Sequence, residues 1–160
     1  MIKGELLGDT ALLSRTQRWA PALKGSVSQA IGRLVLMLQR NVKADKLSGQ
    51  VLRVKTGRLR RSINARTEGM DGTTPTGYVG TNVSYARPHE YGFTGQVNVK
   101  AHMRNIKTAF GKPIAPVSVQ VGGFSRRVVL PERSFLRTGL AELGPTIATE
   151  LDNAVKGVLK

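Results

Sequence analysis

The chain has 160 residues, 40% of them hydrophobic and 5% aromatic, with 25 Lys or Arg against 10 Asp or Glu and a formal net charge of +15. That length suits one domain able to bury about 70% of its unfolded surface, which excludes a wholly disordered chain. With no cysteine, a disulfide framework, a thiolate zinc site and a cysteine nucleophile are excluded as well.

The charge is unevenly placed. From Arg15 to Arg66 there are thirteen Lys or Arg and one acid, Asp45, whereas Thr138 to Lys160 holds three acids and two lysines. Such a surface attracts nucleic acid, membrane headgroups or an acidic protein. The longest apolar run, Leu34 to Leu38, is far short of the roughly 18 residues of a spanning helix, and Met1-Ile2-Lys3-Gly4-Glu5 has no signal-type apolar stretch. The expectation is a soluble protein made and kept in the cytoplasm, with no membrane partner.

In chain order, a short helix is predicted from about Asp9 to Trp19, capped by Asp9 or Thr10. A longer one follows from about Pro21 to Lys46, where Leu23, Val27, Ala30, Ile31, Leu34, Leu38 and Val42 form one apolar stripe. Pro21 suits a first helical turn and Ser48-Gly49 a stop. Arg33, Arg40 and Lys43 fall on its other side, as a solvated face or a contact surface. Thr56-Gly57 reads as a cap opening one turn through Arg61. Ser62 to Thr67 reads as extended, and Thr76 to Val83 as the returning strand of a hairpin, across the turn-rich loop Glu68 to Pro75.

After Gly92 the alternation is strict. Val97, Val99, Ala101 and Met103 interleave with polar residues, as do Val117, Val119 and Val121. These two runs are expected to pair as a projecting ribbon, with Asn105 to Pro116 as a long irregular tip. Its valine face, around Val97, Val99, Val117, Val119 and Val121, needs a cover that a neighbouring subunit can supply. Leu136, Leu140, Leu143, Ile147, Leu151 and Val155 mark a C-terminal helix capped by Ser134, with a kink or a break at Gly144-Pro145. The fold class is therefore α+β: a long N-terminal helix, a small antiparallel sheet with an extended β-ribbon arm, and a C-terminal helix. Residues 1–160 form one domain, with 93–130 inserted as the arm.

Little here supports chemistry. His89-Glu90 and His102 lack the spacing and third ligand of a metal site, and Gly111-Lys112-Pro113 does not open a helix as a phosphate loop does. No cofactor is expected, and no enzyme. Arg53, Lys55, Arg58, Arg60 and Arg61 place five cations in nine residues, enough for several phosphate contacts. No base-reading motif or aromatic interleaving accompanies them. They form either a solvated or inter-subunit salt-bridging surface or a direct contact to nucleic acid. Tyr85, Tyr91 and Phe93 are core fillers or interface anchors, with the core favoured for Tyr85.

Three strings together resemble a family. Thr56-Gly57-Arg58-Leu59-Arg60-Arg61-Ser62-Ile63 is similar to the Thr-Gly-x-Leu-Arg-x-Ser-Ile element of the small tail-component, or tail-completion, proteins of tailed bacteriophages. Gly80-Thr81-Asn82, Tyr85-Ala86 and Glu90-Tyr91-Gly92 resemble the strand and the Tyr-Ala-x-x-x-Glu-x-Gly box that follow it. Pro131 to Leu136 is similar to the closing Arg-Pro-Phe-Leu segment, with the proline displaced from its place beside Phe135 and a longer insertion ahead of it. The match runs from about Pro21 to Val155. It marks Thr56, Gly57, Leu59, Ser62, Tyr85, Glu90, Tyr91, Gly92, Phe135 and Leu136 as motif or interface candidates.

What the resemblance implies is a ring, expected to be a hexamer, in the virion neck. It would sit between a head-side connector or head-closure protein and the tail terminator or tail tube, assembled in the host bacterial cytoplasm. The five cations would then line a channel that carries genomic DNA, and strands added to a neighbour's sheet edge would join the subunits. The alternatives are the tail terminator that caps the tube and a free, non-specific nucleic-acid-binding protein.

Overall fold

Helix α1 (Asp9–Asn41) forms because Ala30, Leu34 and Val35, with Ile31 and Leu38 partly buried, give it one continuous apolar face. The computed structural model describes residues 9–69 and 74–159, and these divide into two units, residues 1–86 with 134–160, and residues 87–133. The architecture is α+β, with a long N-terminal helix, small antiparallel two-stranded sheets and a C-terminal helix.

In the first unit α1 is one helix that runs through Pro21, rather than two helices meeting there. Proline removes a donor and strands the carbonyl four residues back. That carbonyl belongs to Gln17, on an exposed turn where water can serve it. Beyond Asn41 the chain continues in wide, π-type turns over Val42–Gln50, which break at Leu47 (φ −104°, ψ 17°) and at Gly49 (φ 125°). This is the stop expected at Ser48-Gly49.

Helix α4 (Leu136–Leu159) lies antiparallel to α1. Ser26 Oγ donates to the Ala154 carbonyl at 2.9 Å, Arg33 reaches Glu150 at 3.8 Å, and Gly139 backs onto Val42 near the other end. Pro145 does not split this helix either, and the carbonyl it strands, at Ala141, is again exposed. Strands β1 (Asn64–Glu68) and β2 (Thr76–Gly80) form the expected hairpin, in register from Asn64↔Gly80 to Glu68↔Thr76. Four residues of its loop, Met70 to Thr73, lie outside the described residues. The returning strand is shorter than its apolar pattern suggested and ends at Gly80. The hairpin seats on α1 where Gly77 meets Val35 and Ile31, and Gln39 Nε2 donates to the Ile63 carbonyl at 2.9 Å. Val42, Leu47, Leu52, Ile63, Ala86 and Phe135 close the core, with Leu38, Val51, Leu59, Val79 and Leu136 packed around them.

A short helix, α3 (Ala86–Tyr91), precedes the ribbon of the second unit, which is long and two-stranded. β3 (Phe93–Val99) pairs with β6 (Phe124–Leu130), and β4 (His102–Ala109) with β5 (Lys112–Val121). The pairing differs from the sequence expectation at both ends. Val97 and Val99 lie opposite Arg126 and Phe124, whereas Val117, Val119 and Val121 lie opposite Ile106, Arg104 and His102. The tip is no irregular loop but a two-residue turn, Phe110-Gly111, with φ 49° and φ 75°. Two successive positive φ values match the twist of a hairpin, and this is what lets the strands run to the end. Pro113 and Pro116 fit because each strand of an isolated ladder has a free edge that needs no donor, and a register shift opposite Lys107 takes up the irregularity. At the base, Arg133 N–H donates to the His89 carbonyl at 2.8 Å. Among the described residues no helix is long and apolar enough to cross a membrane.

Candidate functional site

The Thr56–Ser62 segment shows how a basic surface is built on an apolar footing. Leu52, Leu59 and Ile63 point into the core, so the residues between them must turn outward, and Arg53, Lys55, Arg58, Arg60 and Arg61 are all exposed. Gly57, with φ 68°, reverses the chain into α2 (Arg58–Ser62), and the Thr56 hydroxyl accepts the Arg58 N–H at 3.4 Å. Arg61 differs from the other four. Its guanidinium folds back to donate to the Thr56 carbonyl at 3.0 Å and covers Gly57, so it serves the turn. Arg53, Lys55, Arg58 and Arg60 have no carboxylate within salt-bridge distance among the described residues. Four exposed cations on one short segment, none paired with a carboxylate among the described residues, form a surface suited to an external polyanion.

The motif segments converge beneath this surface. Ser62 Oγ donates to the Leu59 carbonyl at 2.8 Å, which leaves its lone pairs for the Thr81 hydroxyl at 2.6 Å. Thr81 Oγ1 in turn accepts the Val83 N–H at 3.2 Å, and the Val83 carbonyl accepts the Ala86 N–H at 3.0 Å. A short relay of hydrogen bonds thus ties the Thr-Gly-x-Leu-Arg element to the end of β2 and to Ala86, which packs with Ile63 and Phe135. Phe135 is wholly buried at the centre of this cluster, and Leu136, partly buried, packs against it.

Tyr85 is 39% exposed, against the core position expected for it. The turn from Val83 to Ala86 puts those two small residues inward, and the tyrosine between them goes out. Lys46 is a buried cation that the pattern of charges did not single out. Its ammonium pairs with Glu142 of α4, joining the π-type segment to that helix. The only sequence signal for it is a lysine close to the apolar stripe of α1.

In the second unit, Glu90 is 3% exposed, Tyr91 is 60% exposed, and Gly92 holds φ 75° with Leu130 and Glu132 backbone so close that a Cβ would lie 3.2 Å from each. The glycine of the Glu-x-Gly box is thus required by its own backbone. Arg87, Pro88, Tyr91, Gly92 and Phe93 line an open cleft of about 800 Å³. Val97, Val99, Val117, Val119 and Val121 sit on the ribbon, distributed over its two ladders. No cluster of three or more His, Asp or Glu side chains arranged for a metal occurs among the described residues. Compared with models of protein families, with curated proteins and with solved structures, the chain matches none.

Proposed function

We propose that this chain is a structural, non-enzymatic protein of the phage neck, a tail-completion or head–tail joining component that forms a ring with copies of itself. The observation that carries this reading is the meeting of the three motif segments on one core, beside four exposed cations with no carboxylate partner among the described residues. Residues that resemble a family's motif earn weight when they make one another's environment, and Ser62, Thr81, Ala86 and Phe135 do. The basic segment then faces DNA passing through the ring, where attraction to phosphate must be independent of sequence. Among the described residues β1 and β2 each have an edge paired to no further strand, and strand addition there would join subunits. Its neighbours would be a head-side connector or closure protein and the tail terminator or tail tube.

Cryo-electron microscopy of the assembled virion tests the proposal. An annular layer of this chain between head and tail is expected. Its absence from the particle, or a place in the baseplate, would end the assignment, and a layer directly capping the tube would make it the terminator instead. The same four cations favour a second reading, a free non-specific nucleic-acid-binding protein. That reading requires useful affinity for short duplex DNA near physiological salt in the isolated chain, without assembly.

A further inference from the structure

Between Phe93 and Leu130 the chain carries six cations, Lys100, Arg104, Lys107, Lys112, Arg126 and Arg127, and no acid. All six are exposed, and none has a carboxylate within salt-bridge distance among the described residues. They are not confined to one side. Residues directly opposite share a face, so Arg126 lies with Val97 and Arg104 with Val119, whereas Arg127, next to Arg126 in the strand, lies on the reverse with Gln96. A flat acidic protein surface or a lipid headgroup layer would meet one face and leave the other's charges unmatched. A groove with phosphates along both walls meets both.

The tip adds an independent observation. Phe110 is fully exposed and sits at φ 49°, where Asn or Gly closes such a turn more readily. An aromatic side chain there gains no burial within the chain and strains its backbone, and outliers of this kind concentrate at functional positions. Lys107 and Lys112 flank it. A two-stranded ribbon fits a groove of a duplex, and proteins that lie in the minor groove set apolar side chains against base steps.

We propose that the ribbon of residues 93–130 is a duplex-binding arm, lying in a groove of nucleic acid with its cations on the phosphates of both walls and Phe110 set against a base step. This does not rest on the neck reading and uses residues other than Arg53 to Arg60.

The test is fluorescence anisotropy of the full chain on a labelled DNA duplex across a series of sodium chloride concentrations, with a 2-aminopurine duplex as reporter of unstacking. The variant K107Q/K112Q should make the log–log salt slope shallower by about 1.8, the share of two phosphate contacts. F110N, which suits the turn and so leaves the hairpin intact, should weaken binding roughly tenfold, leave the slope unchanged, and abolish the 2-aminopurine response. Duplex binding equal to wild type in both variants would overturn the proposal. So would competition by poly-glutamate or phosphatidylglycerol vesicles as effective as that by duplex at equal charge. If R58Q/R60Q alone lowers the slope, the arm proposal fails and the basic surface of the neck reading stands.

Discussion

The two units of this chain are held together by different physics. Among the described residues every buried hydrophobic side chain, from Ala30 to Ala154, belongs to the first unit, and in the second the one buried residue is the charged Glu90. The first unit gains its stability from apolar surface removed from water between two antiparallel helices and a hairpin. The second relies on backbone ladders and on cross-strand pairs such as Ser125 with Asn98 and Ser118 with Asn105. An isolated two-stranded ladder is marginal in water. A ribbon of this kind, rich in charge and without a buried apolar side chain among the described residues, therefore contributes little stability of its own, whereas the first unit has a core.

The sharpest way to break this contrast is to remove the centre of the core. Phe135→Ala should destabilise the first unit by about 3–5 kcal/mol in chemical denaturation, because it combines lost burial with a cavity. Val119→Ala, exposed on the ribbon, should leave the same transition in place. A smaller loss is expected from Gly77→Val, since a Cβ at Gly77 would lie 2.1 Å from Val35 Cγ2. Overpacking of that kind should lower stability by about 1–3 kcal/mol, and a neutral result would mean the hairpin is not seated on α1.

Ser62→Ala cuts the relay between Leu59, Ser62 and Thr81, and a drop of about 1 kcal/mol is expected by thermal or denaturant unfolding. Thr81→Ala should cost somewhat more, because it also removes the acceptor of the Val83 N–H, and the double variant should lose less than the sum of the two because one bond is shared. The smallest effect should follow the largest edit. Replacing residues 94–129 with a short Gly-Ser linker should leave the cooperative unfolding of the first unit within about 1 kcal/mol of the full chain. Loss of folding would show that the arm contributes to the core.

Legibility followed the same division. The α1 stripe through Leu34, Leu38 and Val42 and the α4 stripe were readable because buried faces impose a period on the sequence. The interrupting prolines were misleading, since exclusion of proline from helices presumes that the stranded carbonyl has nowhere to go, and Gln17 and Ala141 face solvent. The basic segment was readable as charge, but not the role of Arg61, whose return to Thr56 is a matter of rotamer. The alternation in the ribbon was plain, yet its pairing was not. Phe-Gly is no standard hairpin signal, two prolines follow it, and nothing is buried deeply enough to set the register by hydrophobicity. The signal that does survive in the sequence is the unbroken absence of acid from Phe93 to Leu130.

One property of the ribbon bears on how such an element changes over time. From Phe93↔Leu130 through Val99↔Phe124 to His102↔Val121 and Ile106↔Val117 the residues match one for one, and the gap at Lys100-Ala101 and Gly122-Gly123 omits two from each strand. A codon gained on one side alone would throw every later side chain onto the wrong face. Two codons gained on each side preserve both partners and orientation and lengthen the reach by about 7 Å. Descendants of this gene can therefore retune the span of the appendage in doublets while the body that carries it is inherited unaltered.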